Sequence, residues 1–373
     1  MKILIDMGHP AQVHLFKNFI GEMEKRGHEI KVTARDKDVT MQLLDAYHIP
    51  YERVGSMRYG KINLILEWIF RDIKILKIAR KFNPDILMGS LNPAIVHAAK
   101  ILGKKSIVFT DSEPEAVKYP LADLITTPFA DIIITLESVR HHYGEKEIRV
   151  NSYKELAYLH PTRFTPNPDV LVQAGIGDGE DYVILRFVAW GAYHDVGRAG
   201  FDIEAKRRLI TTLERHVRVF ISSESIIPPE FEKYRLPIRP EQMHDFLYYA
   251  LLLVGDSQTM ATEAAVLGTP AIRCNLFVGE KDMGNFIELE DNYHLLYNFK
   301  DIDSAIRKIN SLFHHPGLKA EWMQRKKLLF AEKIDFTAFL VWFVENYPLS
   351  YSEMKEHPEV QYSFGASAGV DSS

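Results

Sequence analysis

One segment gathers groups able to hold a phosphorylated ligand: LLLVGDSQTMATEAAVLGTPAIRC, from Leu251 to Cys274. Its apolar start reads as a strand ending at Val254. Gly255-Asp256-Ser257 then turns the chain, and TMATEAAVL reads as a short helix stopped by Gly268. The amides and hydroxyls near Ser257, Gln258 and Thr259 would point out of the positive end of that helix. This suits a diphosphate by hydrogen bonding and by dipole. Glu263 follows one turn further in, where a carboxylate can accept both hydroxyls of a ribose. The same residues also make an ordinary capping motif, with Ser257 or Thr259 as N-cap and Glu263 solvated. Chemistry alone leaves both readings open.

Three other clusters sit at the ends of apolar runs. His9 precedes Pro10, which suits a first helical position. An imidazole at a helix start is held neutral, which fits a general base for an acceptor hydroxyl; it fits a loop brace as well. His14, on the helix, reads as packing or as a support for His9. FTDSEPEAVKYP places Asp111, Glu113 and Glu115 directly after a strand. Three carboxylates there must be solvated or paired, as a base, as holders of an acceptor amine or hydroxyl, or as an acidic surface loop. ILRFVAWGAYHDVG carries Arg186, Trp190, Tyr193, His194 and Asp195. Arg186 or His194 can neutralise charge on a leaving diphosphate, and Trp190 or Tyr193 can stack on a sugar or base.

The elements that must position these groups repeat one grammar twice. KILIDM, EIKVTAR, ILMGS, SIVFT, DIIIT and EIRV read as strands of the first half, with helices over 13–27, 37–47, 62–82 and 93–102. DYVILRFV, VRVFISS, LLLVGDS, TPAIRC and YHLLYNF repeat it, with helices near 202–215, 241–249 and 259–267 and over DIDSAIRKINSLFHH. Strands that are apolar throughout and separated by helices imply parallel sheets covered on both faces. The expected organisation is a domain over 1–160, a Pro- and Gly-rich linker over 161–180, a second domain over 181–320, helices over 321–348 that pack back across the domains, and a flexible tail over 349–373. Ligands of such sheets bind beyond the C-terminal strand ends, so a cleft between the domains is the expected site.

Composition narrows the class. A chain of 373 residues with 46% apolar content suits two ordinary cores. A net charge of -5 argues against nucleic acid as the main partner. Cys274 is the sole cysteine, which excludes an intrachain disulfide and a thiolate metal cluster; a site of histidines and carboxylates stays open. The start, MKILIDMGHP, reads as a strand and loop rather than a signal peptide, and no run of eighteen uncharged apolar residues occurs. The expected location is cytoplasmic, or peripheral at the inner membrane face. The peripheral option comes from RYGKINLILEWIFRDIKILKIARKF, spanning 58–82, whose basic amphipathic character suits either anionic lipid or plain packing with a basic outer face.

DSQTMATEAAVLGTP, from Asp256 to Pro270, resembles the C-terminal-domain signature of the GT-B fold, shared by MurG-like glycosyltransferases and the non-hydrolysing UDP-N-acetylglucosamine 2-epimerases. That pattern runs Asp-Ser-Gly-Gly, a few residues, Glu-Ala, two residues, Leu-Gly and a small residue before Pro. Asp256-Ser257, Glu263-Ala264, Leu267-Gly268 and Pro270 match it, while Gln258 and Thr259 replace the glycine pair. GHPAQVHLFKNFIGEMEKRGHEI resembles the opening of the same enzymes, and the whole chain resembles the DUF354 group placed near them.

The resemblance implies a GT-B-like α/β fold of two Rossmann-like domains, with a nucleotide-diphospho-sugar, UDP-linked, as substrate and an unnamed acceptor. It also implies Glu263 as the ribose ligand, acceptor contact by the His9 loop, and no bound metal or other cofactor, since the helix dipole takes over that role. Asp282, Asn285 and Glu288 in NLFVGEKDMGNFIELE correspond to sugar-contacting loops. The glycine-rich phosphate loop of MurG-like enzymes is represented only by Gly191 and Gly197. An inverting transferase, with His9 or Asp111 as base, is the expected activity. Epimerisation is the alternative; those enzymes place an aspartate where DILMGSLNP has Ser90. A non-catalytic nucleotide-sugar binder is the third reading. A homo-oligomer is compatible with the sequence but nothing in it requires one.

Overall fold

The computed structural model describes residues 1–56, 61–113, 124–188, 203–275, 278–279 and 282–365, without the side chains of 56 and 61–66. It divides into two compact units, one of Met1–Arg163 with the chain from Glu332 onward, the other of Phe164–Ala331.

The first unit is built on strands β1 (Lys2–Met7), β2 (Glu29–Asp36), β3 (Tyr51–Ser56), β4 (Ile86–Ser90), β5 (Lys105–Phe109), β6 (Ile132–Leu136) and β7 (Glu147–Val150). They form a parallel sheet in the order β3-β2-β1-β4-β5-β6-β7. Helices α1 (Pro10–Lys25), α2 (Thr40–Ala46), α3 (Lys61–Phe82) and α4 (Pro93–Leu102) alternate with the strands. Val13, Phe16, Phe19, Ile20 and Met23 make one buried stripe on α1, and the strands are apolar because both faces of the sheet are covered. Short helix α5 (Leu156–Leu159) closes this stretch.

The second unit begins with short helix α6 (Asp169–Gln173). It contains β8 (Tyr182–Phe187), α7 (Ile203–Leu213), β9 (Arg218–Ser223), α8 (Met243–Tyr249), β10 (Leu252–Gly255), α9 (Gln258–Leu267), β11 (Ala271–Cys274), α10 (Gly284–Asp291), β12 (Leu296–Phe299), α11 (Ile302–Phe313) and α12 (Leu318–Glu332). Its sheet is also parallel, in the order β12-β11-β10-β8-β9.

The expected helical stretch after Glu321 is two helices. Asp335 caps the start of the second: its Oδ1 accepts from the amide of Ala338 at 3.0 Å and its Oδ2 from Arg163 Nε at 2.8 Å. Helix α13 (Phe336–Glu345) then lays Phe336, Phe339, Leu340, Phe343 and Val344 into the first unit against α1 and α5. Residues 349–365 differ from the flexible tail that their composition suggests. Helix α14 (Leu349–Glu356) and the turns to Phe364 are tied to the first unit by Tyr351 to the Glu145 carbonyl (2.7 Å), Lys355 to the Glu147 carbonyl (2.8 Å), and the Asn151 amide to Gln361 Oε1 (2.7 Å). These contacts are long-range, so local composition does not register them. Among the described residues, no helix is long and apolar enough to cross a membrane.

Candidate functional site

In each sheet the strand order reverses once, between β8 and β10 in the second unit and between β1 and β4 in the first. At such a point the helices that follow leave on opposite faces and open a crevice at the strand ends.

In the second unit the reversal lies at Gly255 of β10, in register with Arg186 of β8. A Cβ at 255 would lie 2.2 Å from the Arg186 carbonyl oxygen, so only glycine permits this approach. The next amide, of Asp256, donates to that oxygen at 3.2 Å. The Asp256 carboxylate accepts from the amide of Val188 at 2.8 Å and so fixes the start of the loop after β8. Burial pushes the Asp256 carboxyl above its ordinary pKa, despite the opposing pull of Val188, Lys206 and Arg186. Ser257 is the N-cap of α9, its hydroxyl accepting from the amide of Met260 at 3.5 Å. This cap leaves the amides of Gln258 and Thr259, the first two helical residues, with no acceptor inside the helix. Gly268 ends α9 in the left-handed conformation, φ 80°.

Glu263 is not solvated. It is 4% exposed, and its Oε1 lies 3.0 Å from Nε2 of His244 on α8, which is equally buried. Asn285, near the start of α10, donates to Thr262 Oγ1 at 3.3 Å, and Thr262 reaches the Gln258 carbonyl at 3.4 Å. Asn285 Oδ1 is buried with no hydrogen-bond partner among the described residues. Ser257, Gln258, Thr259 and Glu263 thus lie along α9 and its cap, and Asn285 is tied to that helix through Thr262.

The other expected ligands of this unit are engaged elsewhere. Arg186 donates to Ser222 Oγ (2.7 Å) and Glu224 Oε1 (2.6 Å), which spreads its charge over the end of β9. Asp282, 3% exposed, pairs with the fully buried Arg273 and accepts from the amide of Met283 at 2.9 Å. The sheet-end guanidinium of Arg273 lies 3.7 Å from the centroid of the Phe286 ring and needs that counter-charge: burial lowers its pKa while Asp282 raises it. Asp282 therefore supplies the counter-charge of Arg273. His194, with Trp190, Tyr193 and Asp195, lies outside the described residues.

Two members of the group escaped the reading of the sequence. His244 shares a buried face of α8 with Leu247, three residues on. Lys206 is 1% exposed, its ammonium 5.2 Å from the Phe187 ring centroid, and its charge acts on Asp256. Lys206, Leu209, Ile210 and Leu213 fall at i, i+3, i+4 and i+7 on α7, so the helical period already put this lysine on the apolar stripe.

In the first unit the reversal brings together two helix starts of the same construction. His9 caps α1, its Nδ1 accepting from the amide of Ala11 at 3.2 Å, with Pro10 behind it. Asn92 caps α4, accepting from the amide of Ile95 at 3.4 Å, with Pro93 behind it. Gln12 ties the two loops together through the Gly8 amide and, at 2.6 Å, Ser90 Oγ. Beneath them Asp6, fully buried, accepts from Thr33 Oγ1 at 2.9 Å and pairs with Arg71, whose guanidinium also covers Gly8. Burial keeps the Asp6 carboxyl above its ordinary pKa although Arg71, Thr33, Arg35 and Asn92 lower it.

The cap has a consequence for His9. With Nδ1 as acceptor, the neutral ring carries its proton on Nε2 and presents a donor. Service as a base would require release of the cap, worth about 1 kcal/mol. Asp111, at the end of β5, pairs with Lys154 and keeps a partly exposed carboxylate. Glu113 is 4% exposed and is held by Arg140 through its guanidinium (3.0 Å) and its amide (3.1 Å). Glu115 lies outside the described residues.

A family model described as a protein of unknown function (DUF354) matches residues 1–321. No curated protein matches the chain. Several solved structures are similar in fold. The UDP-GlcNAc 2-epimerase from Neisseria meningitidis bound to UDP-GlcNAc is 13% identical with a TM-score of 0.63, covering 93% of this chain and 100% of that one. The S. aureus MnaA-UDP co-structure is 12% identical with a TM-score of 0.66, covering 94% and 98%. The spinosyn rhamnosyltransferase SpnG is 12% identical with a TM-score of 0.61, covering 93% and 100%. At such identities the likeness is one of fold, and the fold is GT-B.

Proposed function

The chain belongs to the DUF354 family, and from that membership, its fold and the group around α9 we propose that it binds a nucleotide-diphospho-sugar, with UDP as the nucleotide, and transfers the sugar to an acceptor. The observation that carries this reading is the start of α9 at the strand reversal. Two amides with no acceptor inside the helix, a capping serine and a buried glutamate one turn in occur together there. In this reading the amides of Gln258 and Thr259 receive the diphosphate, with the dipole of α9 supplying the charge that a metal would otherwise provide. Glu263, braced by His244, accepts the ribose hydroxyls, and Asn285 Oδ1 accepts a further donor-sugar hydroxyl. Arg186 at the end of β8 and Lys206 on α7 add positive charge. Support comes from similar folds solved with UDP and with UDP-GlcNAc.

The first unit carries the acceptor-side groups. Asp111, oriented by Lys154, takes the acceptor proton, and His9 donates a hydrogen bond from Nε2. Epimerisation is the second reading, favoured by the 2-epimerases among the similar structures. Against it stand Ser90, which is no strong base, and the engagement of Glu113 with Arg140.

Incubation with UDP-sugars in heavy water, with and without a pool of candidate acceptors, separates the readings. Acceptor-dependent release of UDP with no deuterium in the sugar is the expected outcome. Deuterium at C2 without any acceptor would replace transfer by epimerisation. Tight nucleotide binding with neither reaction would make the protein a binder.

A further inference from the structure

One side of α3 is fully committed to the protein. Glu67 pairs with Arg35 at 2.6 Å, Arg71 with Asp6, and Asp72 with His97 at 2.8 Å, while Ile75 and Ala79 are buried. From residue 69 onward the opposite side is a continuous exposed face. Ile69, Phe70 and Ile73 lie on its first half, exposed by 51%, 64% and 46%. Lys74, Lys77, Arg80 and Lys81 lie on its second half, all exposed. At 3.6 residues per turn these side chains fall within an arc of about 140°.

No acid shares that arc, because the nearest described acids of the helix, Glu67 and Asp72, are turned toward Arg35 and His97. Lys74, Lys77 and Lys81 repel one another at i,i+3 and i,i+4 spacing. A chain of net charge -5 has therefore collected on one helical face four cations with no ion pair among the described residues, beside three exposed apolar side chains. Salt bridges hold the inner side of α3 in place, so the outer face is not available for burial in its own unit.

We propose that this face of α3 docks on an anionic lipid bilayer. Ile69, Phe70 and Ile73 enter the boundary between headgroups and acyl chains, and the four cations lie over the lipid phosphates. The charge complementarity selects an anionic surface, and the apolar half selects one with a hydrocarbon boundary, which nucleic acid lacks. Because Arg71, on the inner side of the same helix, touches Asp6 and covers Gly8, the docked surface lies about one helix diameter, roughly 10 Å, from the His9 loop. The inference does not depend on which reaction the protein performs.

The test is sedimentation of the whole chain with vesicles of phosphatidylcholine alone or with about one third phosphatidylglycerol, at low and high salt. Binding to the anionic vesicles that high salt weakens is expected. The double variant K77Q/K81Q should lower the partition about thirtyfold, from roughly 1 kcal/mol per cation. Phe70→Ser should weaken binding while circular dichroism stays unchanged, since both changes are at exposed positions. Absence of sedimentation with anionic vesicles at low salt, or binding indifferent to K77Q/K81Q, would overturn the proposal. So would a change of oligomeric mass in Phe70→Ser with lipid binding intact, which would make the face a contact between copies.

Discussion

Gly255→Ala perturbs the second unit sharply without removing any proposed ligand-binding side chain. The new methyl group would stand 2.2 Å from the Arg186 carbonyl oxygen and 3.0 Å from both the carbonyl carbon and Cβ of Arg186. Real Cβ contacts stay above 3.0 Å, so β10 and β8 must part by at least 0.8 Å (3.0 less 2.2). The obstacle is backbone inside a sheet, and no rotamer relieves it. Overpacking of a closed core costs about 1–3 kcal/mol. Strain on the neighbouring Asp256 amide bond to the same carbonyl adds about 1 kcal/mol. For a unit of 168 residues (164 to 331), a loss of about 2–4 kcal/mol lowers Tm by roughly 4–16 °C. Asp256 and the start of α9 move with β10, so nucleotide affinity should fall too. Calorimetry of the variant beside Gly21→Ala is the assay, because a Cβ at Gly21 meets nothing within 4 Å. Gly21→Ala should melt at or slightly above the parent temperature. A Gly255→Ala protein melting within a degree of the parent would refute the close approach of β10 to β8.

Two further predictions concern buried charge. Arg71→Met strips the fully buried Asp6 of its cation and should cost about 3–5 kcal/mol. The native Asp6 carboxyl is already raised above 3.8 by burial, so the folded state holds that proton more readily than the unfolded state. Stability from this group falls as pH rises through the window between 3.8 and the raised value, and Arg71→Met extends the window upward. Urea unfolding should therefore find a smaller loss at pH 5 than at pH 8; equal losses would contradict the mechanism. On α12, burial pushes the Lys326 ammonium down from 10.5 to about 8. Below about pH 8 the penalty is fully present, and between 8 and 10.5 the unfolded state binds more protons, so stability rises with pH across that window. Its ceiling is about 3 kcal/mol, reduced by the Lys326 hydrogen bond of 3.1 Å to the Leu267 carbonyl. Lys326→Met should stabilise the protein at pH 7 by about 1–2 kcal/mol and remove the rise. Destabilisation at pH 7 would count against the account.

Periodicity and punctuation carried most of the fold. Apolar strands with helices between them predicted parallel sheets, and the helix bounds at Pro93–Leu102, ended by Gly103, and Gln258–Leu267, ended by Gly268, follow directly from capping chemistry. The Gly255-Asp256-Ser257 turn was legible for the same reason. The partners of the site residues were not. Arg71 is 65 positions from Asp6 and was read as part of a basic surface, but helix α3 has two charged sides, and only topology decides which one faces the sheet. A solvated Glu263 stayed open as an alternative in sequence because His244, its buried partner, lies 19 positions away on another helix. Glu113 reads as a ligand as one of three carboxylates after a strand, and Asp282 by resemblance to sugar-contacting loops. Arg273 and Arg140, which occupy them, carry no local mark of doing so. Lys206 was the one miss that the helical period could have caught.

The most direct test of the central claim is calorimetric titration of the protein with UDP, GDP, dTDP and CDP, with and without magnesium. UDP should bind in preference to the others, independently of magnesium. Glu263→Ala should weaken it by about tenfold or more, the worth of a charge-assisted hydrogen bond at about 1.5–3 kcal/mol. No binding of any nucleotide, or an affinity that Glu263→Ala leaves unchanged, would contradict a nucleotide site at the start of α9.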